Sequence, residues 1–166
     1  MALTLTGDGD ITGLAVGALP SNVIGADTPA FSAYQSVAQT GISTTTITKI
    51  TYNVEDYDTA NCFSSSRFTP NVAGYYQISG AATVPTTTTT LGLIVIIYKN
   101  GSSFKSGSAS RATSSMYPTS SVSSLVYFNG TTDYVEMYVY GDMGGTFSLL
   151  NSQTDTWFNG FLARAA

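Results

Sequence analysis

Residues 132–140 constrain the fold most, because their sequence, TDYVEMYVY, is that of an amphipathic β-strand. Val135, Met137 and Val139 alternate with the other residues, and alternation of this kind predicts a strand with its aliphatic face in a core. The opposite face carries three tyrosines and one acid: Tyr134, Glu136, Tyr138 and Tyr140. Tyrosine joins a large apolar ring to a hydroxyl that needs a partner, so we predict that this face lies at a subunit interface. The alternative is an exposed strand with incidental tyrosines.

Residues 93–98 form a second unusual segment, because LIVIIY is apolar at every position. Such a strand is typically buried on both faces. One face fits the core of a two-sheet sandwich. The other, with Ile94, Ile96 and Tyr98, needs a further cover, and we predict that a neighbouring subunit provides it.

Glu136 is the one acid among these tyrosines. A partly desolvated carboxylate needs a hydrogen-bond donor, and Arg164, Lys99 or a tyrosine hydroxyl is expected to supply it. We interpret Glu136 as a residue that sets register and specificity, without a catalytic role.

The rest of the chain predicts an all-β sandwich. Turn signals recur roughly every ten residues, among them the hairpin sequences Asn100-Gly101 and Asn129-Gly130. Residues 55–66, 86–90 and most of 102–120 are predicted to be loops. Further strands are predicted at residues 29–34, 47–54, 75–84, 122–128, 146–150 and 156–162.

Residues 1–28 are predicted to form an extended N-terminal arm ahead of a domain at 29–166. The arm is rich in Gly, Ala and Leu and has no positive side chain. Fully extended, it would reach roughly 90 Å. Its GDGD sequence at 7–10 lacks the remaining ligands of a calcium loop and is expected to be a turn. The apolar residues expected to bind a partner surface are Leu3, Leu5, Ile11, Leu14, Val16, Leu19, Val23 and Ile24. The alternative is an arm folded back on its own domain.

The distribution of charged and apolar residues argues against nucleic-acid binding, a membrane span and a signal peptide. Only 10% of residues are charged, the net charge is −4, and the six basic residues are scattered, so nucleic-acid binding is not expected. No apolar run approaches 18 residues, so no membrane span is expected. The first basic residue is Lys49, so no signal peptide is predicted and the protein is expected to be made in the cytoplasm.

The catalytic repertoire of the chain is narrow. It has no histidine, which removes the commonest general base and metal ligand. The single cysteine, Cys62, is expected to be a small buried residue. Glu55, Asp56 and Asp58 would suit calcium binding or glycosidase chemistry, although a solvated acidic loop is favoured. We therefore predict no catalytic residues, no metal site and no cofactor.

Six short motifs, in order along residues 29–163, resemble the globular head domain of the q subcomponent of the first complement component. That domain is a relative of the tumour necrosis factor jelly roll. The motifs are FSAY at 31–34, YD at 57–58 before FTP at 68–70, GYY at 74–76, NG at 100–101, Leu125 followed by DYV at 133–135, and FNGFL at 158–162.

The resemblance implies a two-sheet jelly roll of about ten strands that forms tight homotrimers. Aromatic and aliphatic rows are expected to line the three-fold axis. The interface residues expected on this basis are Ile94, Ile96, Tyr98, Tyr134, Glu136, Tyr138 and Tyr140.

The arm resembles the short leaders of bacteriophage structural proteins. The expected function is therefore that of a non-enzymatic virion protein made in the host cytoplasm. As a trimeric decoration or cement protein, it would bind the major capsid protein on the outer capsid surface through its arm. The alternative is a receptor-binding or glycan-binding tip of a tail or head fibre, with a host surface glycan as partner. An enzyme such as a polysaccharide lyase or hydrolase is a third, less favoured hypothesis.

Overall fold

The computed structural model describes residues 4–5, 11–12, 28–85, 91–112, 116–142 and 145–166. The regular elements in these ranges are all β-strands, and this part of the chain has no helix long and apolar enough to cross a membrane. The strands are β1 (Thr4–Leu5), β2 (Ile11–Thr12), β3 (Ala30–Tyr34), β4 (Ile42–Ser43), β5 (Thr48–Lys49), β6 (Val54–Asp58), β7 (Phe63–Ser64), β8 (Arg67–Phe68), β9 (Gly74–Thr83), β10 (Leu91–Lys99), β11 (Ser102–Ser106), β12 (Ser110–Ala112), β13 (Thr119–Phe128), β14 (Val135–Gly141), β15 (Thr146–Phe147) and β16 (Trp157–Ala165).

Two antiparallel sheets make up a jelly-roll sandwich, as predicted. The five-stranded sheet has the order β13-β9-β16-β3-β6. The seven-stranded sheet has the order β11-β10-β14-β8-β7, with β12 also pairing with β10 and β5 with β14. The last strand, β16, lies between β9 and β3, so the two ends of the domain meet within one sheet.

The core contains a cluster of aromatic rings between the sheets. Phe31 is fully buried and stacks on Phe68 with ring centroids 4.3 Å apart. Phe158 meets Phe31 edge-on at 4.7 Å. Val135, Met137 and Val139 are also fully buried, which confirms the predicted aliphatic face of β14.

The strand predicted at 47–54 is wrong in its extent. Only β5 and the first residue of β6 lie within it, and these two strands belong to different sheets. The chain crosses between the sheets here. In this crossing the N–H of Ile50 donates a hydrogen bond to Met137 O, and the N–H of Tyr52 donates one to Ser66 Oγ. Ile50 and Tyr52 lie in this crossing and are buried in the core, which explains why the sequence of residues 47–54 resembles that of a strand.

The loop predicted at 55–66 is also more ordered than expected, since it contains most of β6 and all of β7. The Asp58 carboxylate accepts hydrogen bonds from the N–H groups of Cys62 at 3.0 Å and Phe63 at 2.7 Å, which fixes the turn between them. Likewise β11, β12 and the start of β13 lie in the segment 102–120.

The hairpin predicted at Asn100-Gly101 is present, whereas the hairpin predicted at Asn129-Gly130 is wrong, because that turn joins β13 and β14, which belong to different sheets. Asn100 and Gly101 have φ angles of 51° and 78°, as a two-residue hairpin between β10 and β11 requires. In the second turn, Asn129 Oδ1 accepts hydrogen bonds from the backbone N–H groups of residues 131, 132 and 133. These bonds hold the backbone in a loop, so β14 begins at Val135 and not at residue 132 as predicted.

Most of the predicted arm lies outside the described residues, including Leu3, Leu14, Val16, Leu19, Val23 and Ile24. The described parts are Thr28 and the strands β1 and β2, which pair antiparallel with Leu5 opposite Ile11. The boundary at residue 28 and the capsid-binding role of the arm therefore stay predictions.

Candidate functional site

The structure brings the predicted interface residues together on one side of the seven-stranded sheet. Cross-strand pairs join β10 to β14, and directly opposed residues share a face. The pairs are Ile94 with Tyr140, Ile96 with Tyr138, and Tyr98 with Glu136. We call these six residues the tyrosine face. Tyr134 lies just before β14, beside it in sequence.

Glu136 is the buried centre of the tyrosine face, at 3% exposure. Its Oε1 accepts hydrogen bonds from Lys49 Nζ at 2.7 Å and from Arg67 Nε at 2.9 Å. The hydroxyl of Tyr138 donates to Oε2 at 3.3 Å, so the expected tyrosine donor is confirmed.

The two other donors expected for Glu136 are wrong. Lys99 instead pairs with Asp133 at 3.1 Å, and Arg164 forms no ion pair with Glu136. Lys49 and Arg67 reach Glu136 because β5 and β8 both pair with the same edge of β14. They are 87 and 69 residues away in sequence, so no local pattern could have identified them.

The charge state of Glu136 follows from two opposing effects. Burial raises the pKa of its carboxyl, but the hydrogen bonds and positive charges of Lys49 and Arg67 lower that pKa by a larger amount. The net result is a pKa below the ordinary value. The carboxylate is therefore ionised at neutral pH. Burial, and then the negative charge of Glu136, raises the pKa of the Tyr138 hydroxyl, which remains a hydrogen-bond donor.

The tyrosine face is partly buried within the subunit, since Ile96 and Glu136 are buried and Ile94, Tyr98, Tyr138 and Tyr140 are half-buried. The rings of Tyr98 and Tyr138 stack with centroids 4.1 Å apart, and Ile96 is only 7% exposed. The Arg67 guanidinium lies 3.9 Å from the centroid of the Tyr134 ring. The assignment of these residues to a subunit interface stays a prediction.

The outer face of the five-stranded sheet is different, because large apolar side chains there are open to solvent. Leu125 is 53% exposed, Phe161 52%, and Tyr75 and Tyr127 43% each. Leu125 and Phe161 both lie opposite Gln77, and Tyr127 lies opposite Tyr75, so all four belong to neighbouring rows of one surface. We call Tyr75, Leu125, Tyr127 and Phe161 the open face.

The open face continues into uncharged polar side chains. Ser79 and Ser123 pair through their hydroxyls at 2.8 Å, and Gln77 donates to Ser123 Oγ at 2.7 Å. Amides and hydroxyls both donate and accept, so they can pair with a like surface. This face was not among the interfaces predicted from the sequence. The available signal was the apolar run Leu125 to Phe128, which, like residues 93–98, is apolar on both sides.

The acidic residues at 55–58 have separate structural partners. Asp58 caps the turn before β7, whereas Asp56 accepts hydrogen bonds from Ser32 and Gln153 at 2.9 and 2.8 Å. In the described ranges, no three residues among Cys, Asp and Glu come together as metal ligands would. Cys62 is buried as predicted, and burial raises the pKa of its thiol.

Comparison with known proteins identifies the fold. No protein-family model and no curated protein matches the sequence. Among solved structures, the chain is similar to the globular domain of zebrafish complement 1qA protein, with 19% identity, a TM-score of 0.59, and coverage of 84% of this chain and 99% of that one.

Two further solved structures are similar. Murine APRIL at pH 5.0 matches with 10% identity, a TM-score of 0.60, and coverage of 81% and 98% of the two chains. Eiger TNF from S. frugiperda matches with 9% identity, a TM-score of 0.60, and coverage of 84% and 95%. The described chain therefore has the jelly-roll fold shared by the complement 1q globular domain and tumour necrosis factor.

Proposed function

We propose that this chain is a non-enzymatic structural protein that assembles as a homotrimer through its open face. The observation that carries the proposal is that four large apolar side chains lie together on one sheet, each about half exposed. Burying the exposed half of such a side chain stabilises an assembly by roughly 2 kcal/mol. Contiguous apolar surface of this kind is typical of a protein–protein interface.

The partner that best fits the open face is a second copy of the chain. The polar groups beside the four apolar residues are uncharged hydroxyls and amides, so two copies can approach without desolvating like charges. A closed ring of three is the assembly that the resemblance to the complement domain implies. The tyrosine face is more enclosed, so we assign the subunit contact to the five-stranded sheet and not to the face predicted from sequence.

Hydroxyl-radical footprinting tests the assignment of the interface. In the assembled protein Tyr75 and Tyr127 are expected to be oxidised far more slowly than Tyr117, which is 60% exposed and lies in a loop outside the sheet. On dilution into monomers, the rates should converge. Equal oxidation of all three tyrosines in the assembled protein would refute the assignment.

We further propose that the trimer is a virion decoration or cement protein whose arm binds the major capsid protein on the outer shell. The support is the resemblance of the arm to phage leaders and a surface with few charges. Deleting residues 2–25 should leave a folded trimer that no longer binds capsids. Retained binding would contradict the role of the arm. Copy number in virions separates this role from a fibre tip, since decoration requires hundreds of copies and a tip only a few.

A further inference from the structure

Arg67 is held in one orientation on the outer side of the seven-stranded sheet. Its Nε donates to Glu136 at 2.9 Å, and its guanidinium lies over the Tyr134 ring at 3.9 Å. The side chain is nevertheless 45% exposed. Among the described residues, its two terminal nitrogens donate no hydrogen bond. Arg67 thus presents a fixed, unused pair of donors to solvent.

The charge around Arg67 is positive, although the chain as a whole is acidic. Lys49 contacts the same Glu136 oxygen at 2.7 Å, so two cations share one carboxylate. Glu136 is the only described acid with two basic partners; Asp133 and Asp142 have one each. One positive charge is therefore left over, on an otherwise acidic molecule of net charge −4.

We propose that Arg67 and Lys49 bind the carboxylate of a single acidic sugar at the end of a glycan. A guanidinium fork matches a carboxylate in geometry, and its fixed orientation lowers the entropy cost of binding. One surplus charge suits one carboxylate, whereas a polyanion would be repelled by the acidic chain. The hydroxyls of the exposed Ser64 and Ser65 beside Arg67, together with the nearby tyrosines, can form hydrogen bonds with the sugar hydroxyls.

The site must be accessible in the assembly, and to that extent it rests on the proposed function, which places the subunit contact on the opposite sheet. It goes beyond that function because it gives the structural protein a ligand. Since the open face and Arg67 lie on different sheets, assembly and ligand binding can be measured separately for every variant.

The test is titration calorimetry of the full chain with the methyl glycosides of N-acetylneuraminic acid, glucuronic acid and galactose, and with an acetylated glutamate amide. At least one acidic glycoside is expected to bind ten times more tightly than the galactoside or the glutamate amide. Arg67→Lys keeps the charge but removes the fork and should weaken binding at least fivefold. Lys105→Gln removes an exposed cation elsewhere on the same sheet and should leave binding unchanged.

A steric variant guards against misfolding of Arg67→Lys. Ser64 is exposed and lies opposite Arg67, so Ser64→Trp should block the site and leave every charge in place. The molar mass of each variant is measured in parallel, so a chain that fails to trimerise is recognised independently of sugar binding. Equal binding of acidic and neutral glycosides, full binding by Ser64→Trp, or preference for the glutamate amide would each overturn the proposal.

Discussion

Tyr75 and Tyr127 lie directly opposite each other on β9 and β13, with ring centroids 5.4 Å apart and planes at 61°. An edge-to-face pair of this kind is favourable in itself. Yet each ring remains 43% exposed, so the pair leaves apolar surface uncovered on the outside of the sandwich. Together with Leu125 and Phe161, the pair forms a surface that a neighbouring copy can cover.

The first prediction concerns assembly. The double substitution Leu125→Ser and Tyr127→Ser removes half of the open face and should convert the protein into a folded monomer. Sedimentation velocity at micromolar concentration gives the oligomeric state, and circular dichroism checks the fold. Tyr117→Ser is the matched control, because it removes an exposed tyrosine from a loop, and it should leave the assembly unchanged. A double variant that still sediments as an oligomer would count against the open face.

The second prediction separates the two candidate interfaces. Tyr140→Ser alters the tyrosine face without touching the ion pairs of Glu136. We expect the same oligomeric mass as in the unaltered protein. Dissociation of this variant would instead support the interface that the sequence analysis predicted, with Ile94, opposite Tyr140, as its neighbour.

The third prediction is a pH dependence. The folded-state pKa of Glu136 lies below its ordinary value of 4.5, because Lys49 and Arg67 outweigh the effect of burial. The unfolded state therefore binds the proton more tightly, so this contribution to stability is complete above pH 4.5 and is lost as the pH falls further. Chemical denaturation between pH 7 and pH 3 should show that the free energy of unfolding falls as the pH is lowered.

Glu136→Gln should lack this part of the acid-induced decline, because it has no carboxyl to titrate. At pH 7 the variant is expected to be less stable by about 1–3 kcal/mol, since it leaves two cations beside a neutral amide. The figure is lower than for a fully buried pair because the Lys49 and Arg67 side chains are 30% and 45% exposed. An unchanged acid profile in Glu136→Gln would show that other groups, such as Asp133, account for the decline.

The fourth prediction tests the aromatic core. Phe31 is fully buried and contacts the rings of Phe63, Phe68 and Phe158, so Phe31→Ala should destabilise the domain by about 3–5 kcal/mol. The control is Phe104→Ala, since Phe104 lies on an edge strand and is 39% exposed. It should lower the free energy of unfolding far less than Phe31→Ala does. Denaturant unfolding gives both values. Equal losses in the two variants would contradict the placement of the core.

Periodicity and turn chemistry predicted the strongest elements of the fold. The alternation at 132–140 gave the buried face of β14, and Asn100-Gly101 gave the hairpin after β10, because both signals act within a few residues. The crossing at 50–53 was missed, since buried residues that pass between two sheets have the same composition as a strand.

Long-range pairing explains what the sequence could not reveal about the candidate sites. Lys49 and Arg67 meet at Glu136 only because β5 and β8 both pair with β14. Leu125 and Phe161 become neighbours only because β13, β9 and β16 are adjacent in one sheet. An apolar run shows that both faces of a strand need cover, but whether the cover comes from the same subunit depends on this topology.

The molar mass of the unaltered protein in solution tests the central claim most directly. Light scattering coupled to size-exclusion chromatography should give three times the chain mass of 17.4 kDa, unchanged over a tenfold range of concentration. A stable mass of 17.4 kDa at every concentration would contradict the account, because the open face would then have no copy of the chain to cover it.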